Sequence, residues 1–145
     1  MNHTKRILQT GLVGVALWLC ASVCDAQLVV IVSAKNPVST LSENQVADIY
    51  LGRTSQLPGG GDVVPVDLAD DSANRTEFYK DVAGKSPAQL RAYWSKLIFT
   101  GRGQPPREVA DATAVKKLVA NGANTIGYIE KSELDPSVKA VLTLH

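Results

Sequence analysis

The run Asp70-Asp71-Ser72-Ala73-Asn74-Arg75 holds the densest chemistry in the chain. Ser72 and Asn74 bring a hydroxyl and an amide, Arg75 a fixed cation, and Asp70 and Asp71 are acceptors. Phe78, Tyr79 and Val82 follow at helical spacing, so this run is predicted to form a turn and the first turn of a helix. The first N–H groups of a helix have no intrahelical acceptor. With the positive end of the helix dipole they suit a small anion. The same residues also fit a plain N-cap, with Asp71 or Ser72 accepting from the backbone. Both readings stand on local pattern. Arg102, between Gly101 and Gly103, is a further candidate anion ligand; a solvated loop arginine is the alternative.

Other chemistries find little support. Ser72 has no histidine partner, because His145 is the only histidine beyond residue 26. No metal-ligand cluster and no phosphate loop of glycine-lysine type is present, so no cofactor and no enzymatic activity are expected. Asn74-Arg75-Thr76 matches a glycosylation sequon, which is read as a chance match beside the capping role.

The turn must be held by a strand before it and a helix after it. Val63, Val64 and Val66 form a short β-branched run that predicts the strand. Leu28 to Val32 is an unbroken apolar run, the pattern of a strand buried on both faces. Thr40 with Glu43, and Ser42 with Gln45, have capping-box spacing ahead of a helix carrying Leu41, Val46, Ile49 and Tyr50. Gly52 fits its end. Arg53 to Asp62 reads as a flexible turn. Ser86-Pro87-Ala88-Gln89 starts another helix, with a stripe of Leu90, Tyr93, Trp94, Leu97 and Ile98 facing the core. Thr100 to Pro106 can be neither helix nor central strand. Asp111 caps a last helix with Val115, Leu118 and Val119. Thr125 to Ile129 and Val138 to Leu144 are strands. The order β-α-β-α-α-α-β-β predicts an α/β sheet with helices on its faces, whose ligands sit beyond the carboxyl ends of strands.

Residues 1–26 are expected to be a cleaved signal peptide, and residues 27–145 a single domain. Lys5 and Arg6 precede the apolar Gly11 to Val23, and Cys24-Asp25-Ala26 offers a small-residue cleavage site before Gln27. A retained membrane anchor is the alternative. Cleavage would remove Cys20 and Cys24, leaving no thiol. It would also remove Lys5, Arg6 and Asp25, taking the formal net charge from +1 to zero. A neutral chain without a basic face argues against nucleic acid.

Several runs resemble phosphate-type periplasmic solute-binding proteins. They are Pro37-Val38-Ser39 with Leu41-Ser42, Asp48-Ile49-Tyr50-Leu51-Gly52-Arg53, Val64-Pro65-Val66-Asp67, Ser72 with Arg75 and Phe78-Tyr79, Phe99-Thr100-Gly101-Arg102-Gly103, and Ile126-Gly127-Tyr128. The resemblance implies one lobe of a type II periplasmic-binding-protein fold, a mixed sheet with helices on both faces. It implies a periplasmic protein that binds phosphate or a similar oxyanion through Asp70, Ser72, Ala73, Asn74, Arg75 and Arg102, linked to an ABC transporter. A transporter, a sensor, or a second copy supplying the opposite lobe would be its partner. An accessory protein of the cell envelope with a degenerate site is the alternative. The family's anion loop runs arginine, one intervening residue, aspartate, then Gly-Ser-Gly-Thr. Here Leu68 stands for the arginine, Asp71 and Ala73 for the glycines, and Asn74 for the threonine. With Asp67, Asp70 and Asp71 close by, binding is expected to be weak, near millimolar or about 4 kcal/mol.

Overall fold

Strand β1 (Leu28–Ser33) is buried at every position, as its unbroken apolar run predicts. The computed structural model describes residues 27–145; the expected signal peptide and both cysteines lie outside the described residues. Helix α1 (Glu43–Tyr50) starts at Ser42, where Ser42 and Gln45 form the capping box. Strand β2 (Val64–Leu68) leads to helix α2 (Ala73–Ala83), capped by Ser72 and closed by the left-handed Gly84. Helix α3 (Pro87–Phe99) starts at Ser86 as predicted, and Ser86 and Gln89 form a second capping box. Then follow β3 (Arg107–Val109), α4 (Ala112–Asn121) capped by Asp111, β4 (Thr125–Glu130), a single 3-10 turn over Lys131–Glu133, and β5 (Val138–Thr143).

The five strands form one mixed sheet in the order β3-β2-β4-β1-β5. Strand β2 runs parallel to β3 and β4, whereas β1 is antiparallel to β4 and β5. Helices cover both faces, and β4 shows how. Its side chains alternate, so Gly127 meets Val115 and Val119 of α4. Tyr128 points the other way and stacks on Phe78 of α2, with ring centroids 3.9 Å apart. Tyr50 of α1 packs edge-on against Phe78 and donates a 2.9 Å hydrogen bond to the Val66 carbonyl. The β-branched and aromatic residues read as core from the sequence thus meet across the sheet. Among the described residues, no helix is long and apolar enough to cross a membrane.

Two features depart from the sequence expectation. Strand β3 is absent from the predicted order. It has three residues, follows Pro105-Pro106 and exposes Arg107 and Glu108, so it carries no period-2 apolar signal. Pairing with β2 alone makes it a strand. Ile98 falls on the apolar stripe of α3 but is 54% exposed, because the helix ends one residue later.

The site follows from this topology. Strands β2 and β4 run parallel, so their carboxyl ends lie at one end of the sheet, where the β2–α2 turn also sits. The Asn74 amide donates to Glu130 at 3.1 Å and ties the turn to the end of β4.

Candidate functional site

Strand β2 ends by sending Asp67 inward and Asp70 outward. The turn between them is closed by a 2.9 Å bond from the Ser72 N–H to the Ala69 carbonyl. Ser72 is extended, and its hydroxyl accepts from the Arg75 N–H at 3.3 Å. Ser72 therefore is the N-cap, in place of Asp71. The N–H groups of Ala73 and Asn74 have no acceptor among the described residues. Ala73 is exposed and Ser72 and Asn74 are half-buried, so the turn is open to solvent.

Beneath the turn, Asp67 is 1% exposed and collects four donors. The Tyr128 hydroxyl donates at 2.5 Å and the Tyr79 hydroxyl at 2.6 Å. The Leu68 N–H donates at 2.8 Å and Arg75 Nε at 3.3 Å. A buried carboxylate needs this many donors to offset its desolvation. Arg75 is itself buried, lies 5.2 Å from the centre of the Tyr79 ring and donates from Nη1 to Asp70. Its guanidinium is thus shared by two carboxylates, one buried and one at the surface. Burial alone would lower the Arg75 pKa; the charge and hydrogen bond of Asp67, with the smaller contributions of Tyr79 and Asp70, together outweigh it, and the pKa is raised.

Burial first, and the Asp67 charge second, push the Tyr79 and Tyr128 phenols far above their ordinary value. Burial does the same to Tyr50. A phenol whose folded pKa is raised contributes stability that is fully present below its unfolded pKa, about 10. That contribution is lost as pH rises through and beyond that value. Alkaline titration followed by ultraviolet absorbance should therefore show these three of the four tyrosines ionising only together with loss of the near-ultraviolet circular dichroism signal. Ionisation of Tyr79 and Tyr128 with the fold intact would contradict the buried hub.

The structure brings Asp70, Ser72, Ala73, Asn74 and Arg75 to one place. Arg102 is not among them. Arg91, near the start of α3, lies 3.8 Å from Asp70. Arg102 follows the far end of that helix, whose rise from Arg91 to Phe99 is about 12 Å at 1.5 Å per residue. The Arg102 N–H bonds to the Leu97 carbonyl, and its neighbours Gly103 to Pro105 adjoin Trp94 and Val64, at the start of β2. Ser72 lies beyond the end of that strand.

Sequence reasoning missed Arg91, Glu130 and the joint role of Asp67, Tyr79 and Tyr128. No local signal marks them, because each comes from a different element. The carboxylates of Asp67, Asp70, Asp71 and Glu130 surround the turn, against the two cations Arg75 and Arg91. Leu68, at the position of the family's arginine, is 5% exposed and belongs to the core. Among the described residues, no group of three or more histidine, cysteine or acidic side chains could hold a metal ion.

Solved structures share this architecture. A Clostridium perfringens protein assigned as a phosphate ABC transporter substrate-binding protein, with phosphate bound, aligns at TM-score 0.62 and 31% identity over 80% of this chain and 45% of its own. An ABC-type phosphate transport receptor of Vibrio cholerae aligns at TM-score 0.62 and 24% identity, over 80% and 46%. PstS of Borrelia burgdorferi aligns at TM-score 0.60 and 14% identity, over 80% and 47%. The chain thus spans less than half the length of each of these structures, and corresponds to a single lobe of the periplasmic-binding-protein fold. No protein-family model and no curated protein sequence matches it.

Proposed function

We propose, from its kinship with the phosphate-type solute-binding proteins, that this chain is a binding protein for phosphate or a similar small oxyanion. The observation that carries the reading is the pair of unpartnered N–H groups of Ala73 and Asn74 at the start of α2. Both point to a surface turn where the Ser72 hydroxyl is free to donate. Asp70 can accept the proton of a hydrogen phosphate. Arg75 and Arg91 stand beside Asp70 and supply the positive charge. Arg102 has no part in this site.

Binding is weak in this reading, because Arg75 is already neutralised and the turn is open to water. Charge-assisted bonds contribute about 1.5–3 kcal/mol where the cation is free, and exposed pairs much less. Export through the expected signal peptide would place the protein in the periplasm, where an opposing surface from a transporter component could enclose the anion. A second reading, an envelope interaction protein with a degenerate site, is favoured by the Asp67–Arg75–Asp70 arrangement, which fills the anion's place with the chain's own carboxylates.

Calorimetry with phosphate and with sulfate tests the choice. A phosphate dissociation constant near 1 mM is expected, about 4 kcal/mol, and Arg91→Gln should weaken it without lowering the melting temperature. Ser72→Ala should weaken phosphate binding and also cost about 1 kcal/mol of stability through the lost cap. No heat of binding up to about 10 mM phosphate, with the fold intact, would favour the interaction protein.

A further inference from the structure

We infer that the groove at the far end of β2, opposite the Ser72 turn, docks an extended, acidic and apolar peptide segment of a partner protein. Val64, Ile98 and Phe99 are the large hydrophobic residues left exposed among those described, at 49%, 54% and 93%. All three lie at this end: Ile98 and Phe99 close α3, and Val64 opens β2. Val64 lines the first and Ile98 the second of two adjoining cavities of about 280 and 450 Å³ that share Gln104 and Pro105, and Phe99 follows Ile98 at the end of α3. The fold does not need Phe99, which lies off the buried stripe of α3. A grouped apolar surface of this kind marks an interaction site more often than a scattered one does.

Three further observations specify the occupant. Trp94 lines the first cavity and is 5% exposed, and its indole N–H is buried with no acceptor. A buried donor left unpaired costs stability and calls for an acceptor, which a small shift of the ring could find in a peptide carbonyl. Strand β3 pairs only with β2, so its outer edge is open to an added strand. Lys96, Arg102 and Arg107 form no salt bridge among the described residues, and Arg107 lines the cavity. An extended peptide can pair with β3, seat an apolar side chain beside Trp94, and place carboxylates against Arg102 and Arg107. The concave shape and the open strand edge favour a peptide over a flat lipid surface.

The full chain can be titrated with a short synthetic peptide of alternating glutamate and leucine around a central phenylalanine. The controls are the same peptide with lysine for glutamate, and phosphatidylglycerol vesicles. The acidic peptide is expected to bind and to shift an indole N–H resonance that Trp94→Phe removes. Arg107→Glu combined with Arg102→Glu should weaken it at least about tenfold, or about 1.4 kcal/mol. Phe99→Ser should also weaken it, and both variants should keep the wild-type melting temperature, since these side chains are exposed. Equal binding of both peptides, or binding of neither, would overturn the proposal. So would binding of vesicles alone, or self-association abolished by Phe99→Ser. Phosphate binding at the Ser72 turn is a separate readout, unaffected by any of these results.

Discussion

Replacing Asp67 by asparagine is expected to lower the unfolding free energy by about 3–5 kcal/mol, the cost of breaking a buried ion pair from one side. Asp67 accepts from Tyr79, Tyr128, Arg75 and the Leu68 N–H, with both oxygens engaged. Asparagine keeps the shape but turns one acceptor into a donor. That donor would face either the Leu68 N–H or Arg75 Nε, neither of which can accept. Arg75, buried beneath the turn, would keep only the half-exposed Asp70 as a counter-ion. Asp70→Asn is the control. Its side chain is 51% exposed, solvent screens the pair, and the loss should stay within about 1 kcal/mol. Urea unfolding of the three proteins measures this. Equal losses for the two variants would show that burial does not set the strength of the network. An Asp67→Asn loss below about 1 kcal/mol would show that the hub is not what anchors α2 to the sheet.

The second large effect is expected at Gly127. Its φ is not positive, so no backbone conformation reserves the position for glycine. Space does. A Cβ there would meet Val115 Cγ1 at 2.5 Å and Val119 Cγ2 at 3.0 Å, both on α4. Helix α4 covers the centre of the sheet through these two valines, which are fully buried. Gly127→Val would push the helix off β4 or force both valines off their rotamers. Overpacking of this kind costs about 1–3 kcal/mol, and valine, with three added carbons, belongs at the upper end. Gly127→Ala combined with Val115→Ala should recover part of the loss, because the second change removes the atom nearest to the new methyl. If Gly127→Val melts like the wild type, the close approach of α4 to β4 is wrong.

Most of the fold could be read locally. The continuous run of β1, the capping boxes at Ser42 and Ser86, the Asp111 cap and the glycine after α2 are signals carried within a few residues. Each acts through backbone geometry or local burial, so each survives without knowledge of the partner elements. Strand β3 could not be read, because three polar residues become a strand only when β2 offers its edge.

The candidate site divides in the same way. The amino-acid pattern was enough to place a capped helix start at Asp71 or Ser72, with the next N–H groups free, since capping is a matter of neighbours along the chain; the choice of Ser72 came from the fold. The pattern also determined the core partners Phe78 and Tyr79, through their spacing. What the charges do depends on packing between distant elements. Arg75 turns inward to Asp67, Arg91 arrives from α3, Glu130 holds Asn74, and Arg102 stands at the other end of the sheet. The physical reason is that a charge's role depends on which charges and dipoles lie within a few ångströms and how much water remains between them. Those distances are fixed by packing between elements far apart in sequence.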